Sequence, residues 1–254
     1  MTDLRSDMRI GGALDSANFS MTIYGTSNDN IVHRLGREIV SGAFEPEVRL
    51  PNEADMLERY SVSRTALREA YSKLTAKGMI VARPKVGTSV RALSSWNMLD
   101  PEVLIWHLQT KPGQEIAQDL YALRRMVEPG AAALAAQFHN EDQLNEIEAA
   151  FEDMKAKSKN ERELIKADLR FHVAVLNATC NPFIGAFSSL IHAAMVSSFQ
   201  LSWRGAEAPV IKQERLMQHG AVFEAVRQRD DQLARLRMEQ LLDASISDVK
   251  EASK

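Results

Sequence analysis

The apolar positions Ile31, Val32, Leu35, Ile39 and Val40 recur every three to four residues, the period of an amphipathic helix. Asp29 offers a cap before this helix and Gly42 a stop after it. Pro51-Asn52-Glu53 opens a second, short helix with Met56, Leu57 and Tyr60 facing inward. A third follows after the tight connection Ser61-Val62-Ser63, with Ser63 as N-cap and Leu67, Tyr71 and Leu74 on its inner face. The period then changes: Met79-Ile80-Val81-Ala82 and Thr88-Ser89-Val90 read as two short strands around Arg83-Pro84-Lys85-Val86-Gly87. From Gln114 onward the strand signal vanishes and amphipathic helical stretches follow one another. Breaks fall near His139 to Glu141, Lys157 to Asn160, Asn181-Pro182, Gly205 to Pro209 and Arg229-Asp230.

The expected fold is mainly α: an N-terminal winged helix-turn-helix of three helices and a small β-wing, then an all-α antiparallel bundle of about six helices. Residues 1–26, polar and without periodicity, read as a flexible extension. Residues 27–92 form the winged unit, 93–110 a linker helix, and 111–254 the helical domain. The linker carries Trp96, the cap Asp100-Pro101-Glu102, and then Val103, Leu104, Ile105, Trp106 and Leu108. Such side chains predict packing against one or both domains, where a Gly/Ser sequence would give a loose tether.

Composition adds limits. The 254 residues are 45% hydrophobic and 26% charged, ordinary globular values, with one cysteine, Cys180. A single cysteine excludes an internal disulfide framework, and no apolar run approaches the roughly 20 residues of a membrane span. A cytoplasmic location is expected. The net charge of −3 hides a division: from Arg64 to Arg91 there are seven Lys/Arg against one Asp/Glu. A basic patch inside an acidic chain points to a local polyanion partner. Arg64, Thr65 and Arg68 occupy the outer face at the start of the third helix, where a recognition helix meets base edges and phosphates. A solvated surface helix carries similar residues; the preceding turn and the following wing favour nucleic acid.

Leu50-Pro51-Asn52-Glu53, the run Val62 to Ala70, and Leu74, Gly78, Gly87 and Val90 together resemble the winged helix of the GntR superfamily of bacterial transcription regulators. The resemblance spans about sixty residues. It implies a homodimer on palindromic double-stranded operator DNA, with Arg64, Thr65 and Arg68 in the groove and Arg49 and Ser63 near the backbone. Lys85 and Gly87 would stand at the wing tip. Ala54 departs from the pattern, since several relatives carry a DNA-contacting basic residue there.

In the helical part, Asp168 and His172 are spaced i and i+4, which stacks a carboxylate and an imidazole on one helical face. His219 borders another apolar stripe, Val222, Phe223 and Val226. Three such groups could hold a zinc-like divalent ion with open positions, although by chemistry alone such a pair is more often a capping or buried hydrogen-bonded pair than a ligand set. Arg124 stands four residues before Glu128, so it is either bridged internally or kept for a ligand carboxylate. Leu123 to Pro129, Asp168 to His172, Asn181-Pro182 and His219 to Val226 resemble the FCD effector domain of the FadR subfamily. The resemblance makes Asp168, His172 and His219 metal ligands and adds Arg124 to an effector site.

A fourth histidine, usual in metal-binding members, falls by register at Leu241, which cannot coordinate, while the neighbouring Gln240 points about 100° away. Two main outcomes stay open, a weaker three-ligand metal site or direct hydrogen bonding of the effector, with a purely structural cluster as the remainder. Trp96 to Asp100, Leu104 and Trp106 resemble the galactonate-repressor-like branch, which implies an aldonate or related sugar acid as effector. The expected function is a ligand-responsive repressor of a carboxylate catabolic operon, not an enzyme. The rivals are a metal-dependent hydrolase or lyase using the same cluster, for which no nucleophile motif is present, and an architectural DNA binder without effector.

Overall fold

The computed structural model describes residues 31–110, 113–156, 161–202 and 213–252. The sequence readings for residues 1–26, for the Asp29 cap and for the breaks at Lys157 to Asn160 and Gly205 to Pro209 lie outside the described residues.

The N-terminal unit holds α1 (Ile31–Val40), α2 (Glu53–Tyr60), α3 (Arg64–Ala76) and a hairpin of β1 (Ile80–Arg83) and β2 (Gly87–Val90). Each helix starts where its sequence allows. Asn52 caps α2 by accepting from the Asp55 amide, and Ser63 caps α3 by accepting from the Ala66 amide. Ser61 takes the left-handed conformation, φ 54°, that turns the chain between them. The strands pair antiparallel from Ile80↔Val90 to Arg83↔Gly87, and Arg49 adds a bridge to Ser89 on the other edge of β2. Leu35, Met56, Leu67, Leu74, Met79 and Ile80 close the core of this unit.

A short 3-10 turn, Leu93–Ser95, leads to α4 (Pro101–Thr110). Asp100 caps α4 by accepting from the Glu102 and Val103 amides, with Pro101 in the first turn. Val103 and Trp106 are buried in the core of the N-terminal unit, while Leu104 joins Ile116, Leu120, Leu190, Ala193 and Ala194 on the other side. The linker helix is therefore shared between two cores. Trp106 lies flat on Gly36, where an added Cβ would stand 2.6 Å from its ring. Its indole donates to His33 Nδ1 at 3.1 Å. Lys77 closes the other side, 2.7 Å from Asp100 and 2.6 Å from Glu102.

The helical part comprises α5 (Gly113–Phe138), α6 (Glu141–Ala156), α7 (Glu161–Asn177), α8 (Pro182–Gly185), α9 (Ser188–Ser202), α10 (Gln213–Arg227) and α11 (Asp231–Ala252). Among the described residues six long helices match the expected number, and the Asn181-Pro182 break holds the additional single turn α8. Asn181 caps that turn by accepting from the Phe183 amide. Pro129 sits inside α5 without ending it; having no N–H, it leaves one carbonyl a turn earlier without its helical donor. Phe171, Ile147, Met154, Val222, Val226, Met238 and Leu241 fill the core of the bundle. Among the described residues no helix is long and apolar enough to cross a membrane.

Candidate functional site

The outer face of α3 presents Arg64, Thr65 and Arg68 exposed, with Leu67, Ala70 and Leu74 anchoring its inner face. Arg64 Nε lies 3.5 Å from Glu53 at the start of α2, an exposed contact worth little in water. Arg49 and Lys85 are also exposed. At the wing, Gly87 has φ +102°, and a Cβ there would meet the Arg49 guanidinium at 2.7 Å. Lys85 reaches the tip with φ 62°, a left-handed conformation that costs a side-chain-bearing residue strain. Ser63, Arg64, Thr65 and Arg68 come from one turn and one helix face. Arg49, Lys85 and Gly87 come from the adjoining strand edge and wing.

Within the bundle, three helices bring a second group together. Asp168 and His172 stand on α7, His219 on α10, and Arg124 with Glu128 on α5. One ligating atom from each of Asp168, His172 and His219 falls within 4.8 Å of the others. Both Nε2 atoms converge on a single oxygen, Asp168 Oδ1, at 3.3 Å from His172 and 2.9 Å from His219. The opposite ring nitrogens also face oxygens. His172 Nδ1 lies 2.5 Å from Glu128 Oε2, and His219 Nδ1 lies 2.8 Å from the Arg215 carbonyl. Phe171 stands edge-on to both rings at 5.8 and 5.1 Å.

The chemistry follows from counting protons. Two neutral imidazoles carry one N–H each, yet all four ring nitrogens face oxygen acceptors. Two contacts lack a proton, and either two added protons or one divalent cation between the Nε2 atoms and Asp168 makes up the deficit. Acceptors on the far nitrogen are also what orients metal-ligating histidines. The residues present fit a three-donor ion site, while Leu241, buried in the apolar core, offers no fourth donor. Gln240 is exposed on the outer groove beside Gln218 and Arg237.

Arg124 is buried, and its Nε donates to Glu128 Oε1 at 2.5 Å. Its Nη2 is about equidistant from the two ring nitrogens of His172, at 3.4 and 3.3 Å. Glu128 is completely buried. Burial alone pushes its carboxyl up, but Arg124 and then His172 outweigh that and hold it down at about 2. Burial likewise opposes the Asp168 charge, and His219 and His172 overcome it, leaving the carboxyl well below the usual range. For His172 burial favours the neutral ring, and Glu128 reverses the balance upward. The charges in this centre are mutually supported rather than individually stable.

The Arg124 to Glu128 spacing is visible in the sequence, but the second role of Glu128 beside His172 is not, because His172 lies 44 residues on in another helix. Arg215 was also missed, because its contribution to His219 is a backbone carbonyl, invisible in residue identity.

Residues 27–90 match the description "Bacterial regulatory proteins, gntR family", and residues 119–244 match the FCD domain. Over 206 residues the chain is 34% identical to the galactonate operon transcriptional repressor of Escherichia coli K12, covering 81% of this chain and 89% of that protein. The chain belongs to the gntR family. This regulator is also 34% identical over 206 residues to the HTH-type transcriptional regulator YieP of the same organism, covering 80% and 87% of the two chains. The solved structure of Lar, titled as controlling expression of the Listeria monocytogenes agr system, matches with a TM-score of 0.58 over 89% of this chain and 98% of that one. At 20% identity that likeness speaks to fold alone. The family and its relatives are DNA-binding transcription regulators, not enzymes, so the Asp168, His172 and His219 group sits in a regulator.

Proposed function

We propose that this regulator is a cytoplasmic, homodimeric repressor of a carboxylate catabolic operon, released from its operator when an aldonate-like sugar acid binds the helical domain. Residues 27–92 read DNA, 93–110 transmit, and 111–254 bind effector. Arg64, Thr65 and Arg68 enter the groove, Arg49 and Ser63 hold the backbone, and Lys85 and Gly87 carry the wing beside it. The N-terminal 1–26 has no assigned part.

The observation carrying the effector reading is the convergence of two imidazole Nε2 atoms on Asp168 Oδ1, beside a buried guanidinium. Asp168, His172 and His219 would hold a divalent ion, which when bound supplies Lewis-acid positions for carboxylate and hydroxyl oxygens. Arg124, Glu128 and Asp168 sum to −1 with both histidines neutral; a divalent ion makes the centre +1, the complement of a monoanionic sugar acid. Arg124 supplies directional donors for the acid end. The name of the Escherichia coli relative, a galactonate operon repressor, supports the same ligand class.

A second reading rests on Arg124 Nη2, 3.3 Å from the nitrogen that an ion would use: the cluster binds the acid directly through the guanidinium and protonated imidazoles. Under either reading the ligand acts only if it binds two arrangements of the dimer with different affinity. α4, buried in both cores, is the element that joins effector centre to recognition helix. A thermal-shift series of aldonates, hydroxy acids and dicarboxylates on the full chain, with and without chelator, tests this. An aldonate should raise the melting temperature, with the rise lost to chelator if an ion is needed and kept if binding is direct. No shift with any acid would sink the effector reading.

A further inference from the structure

We propose that Glu128 is a positioning residue of the effector centre: its carboxylate turns the His172 ring so that Nε2 faces Asp168, and it ties that ring to Arg124. The inference rests on the reading of the centre as an ion- and carboxylate-binding site and goes beyond it by naming the residue that joins its two halves.

Four observations carry it. Glu128 has no solvent-exposed surface, so its charge is kept in the bundle for its partners alone. Both of its oxygens are engaged, Oε1 by Arg124 Nε and Oε2 by His172 Nδ1, each at 2.5 Å. An imidazole that presents the Nε2 lone pair to a ligand must carry its proton on Nδ1, and Glu128 Oε2 is the acceptor placed to receive it. The Arg124 guanidinium, also near Nδ1 at 3.4 Å, can only donate and cannot take that role.

The contrast with His219 gives the arrangement its meaning. His219 is oriented by the Arg215 backbone carbonyl at 2.8 Å, a fixed acceptor on its own helix. His172 is oriented instead by a side chain from another helix that also holds the arginine assigned to the effector's acid end. A ligand carboxylate that draws the guanidinium toward itself changes the charge facing Glu128, and through Glu128 the ring of His172. Ion and carboxylate affinities are thereby linked, each raising or lowering the other by the same factor.

The test uses Co²⁺ as probe on the full-length chain, comparing wild type, Glu128→Gln, and Glu128→Gln combined with Arg124→Met. The double variant removes the stranded guanidinium, so a folded comparison exists even where the single change unfolds the bundle; circular dichroism selects folded samples. Both variants should bind Co²⁺ roughly 10–100-fold more weakly than wild type. Proton spectra of the Co²⁺ form should show two shifted, exchangeable imidazole N–H signals in wild type. In the variants the His219 signal should persist while the His172 signal moves or exchanges away, a change that a purely structural role would not produce. Unchanged affinity with both signals in place overturns the proposal alone. A wild-type chain that takes up no Co²⁺ overturns the ion reading of the centre, and the proposal with it.

Discussion

Replacing Trp106 by alanine should separate a shared-core joint from a surface strap. Trp106 is fully buried, packs face-on against Gly36, donates to His33 Nδ1 and lies 5.9 Å from the Lys77 ammonium. A buried tryptophan removes about 200 Å² from water, and at about 25 cal/mol per Å² its truncation forfeits about 5 kcal/mol. The lost hydrogen bond adds about 1 kcal/mol, while partial collapse of the site around Gly36 returns some of the total. The expected loss is about 3–5 kcal/mol, the usual range for aromatic-to-alanine changes in a core. Urea unfolding should be followed with a probe placed in the winged unit and another in the bundle. The winged unit should lose most of this stability and the bundle much less. Any aldonate response of operator affinity should shrink in conditions where both units stay folded. A loss below about 1 kcal/mol in the winged unit would refute the claim that α4 belongs to its core.

Further outcomes follow from the same contacts. Arg64→Ala and Arg68→Ala should each weaken operator binding at fixed salt by about 1–3 kcal/mol if base contacts are lost, measured by anisotropy; no loss for either would remove α3 from the groove. Gly87→Ala meets both a φ of +102° and the Arg49 guanidinium at 2.7 Å, so the wing should shift and operator affinity fall while effector-induced thermal shifts stay unchanged. His192, buried on α9, has its pKa pushed down from 6.5 to about 4 by burial. Its neutral form is compatible with the fold above pH 6.5, and stability is lost as pH falls from 6.5 toward 4, by on the order of 3 kcal/mol. His192→Gln should flatten that part of a stability-versus-pH curve; an unchanged slope would place the acid sensitivity elsewhere.

What was legible in the sequence is what local chemistry determines. Ser63 announces α3 because a cap acts within three residues, and Pro51-Asn52-Glu53 announces α2, where Asn52 is the residue that caps. The helical period of Leu67, Tyr71 and Leu74 needs no distant partner to be seen, although Ala70 is buried with the two leucines and Tyr71 is only partly so. The joint was readable in kind, since Trp96 and Trp106 demand burial, but their partners were not. Gly36 gives no hint that an indole lies on it 70 residues later, and Lys77 reads as one more cation of the basic patch although Asp100 and Glu102 hold it. Asp168 and His172 declare themselves by i, i+4 spacing, whereas His219 joins them across 51 residues only once α7 and α10 pack. Glu128 was the hardest case. An i, i+4 pair with Arg124 looks complete on one helix, so nothing local signals a third partner.

On the proposal above, one molecule reads DNA through α3 and a sugar acid through the Asp168, His172 and His219 centre. The most direct test is operator affinity of the full-length chain at fixed salt, measured with and without an aldonate, for wild type and Asp168→Asn. The aldonate should weaken wild-type binding at least several-fold, while Asp168→Asn should bind the operator normally and no longer respond. Operator affinity indifferent to every aldonate, or a full response retained in Asp168→Asn, would contradict the proposal.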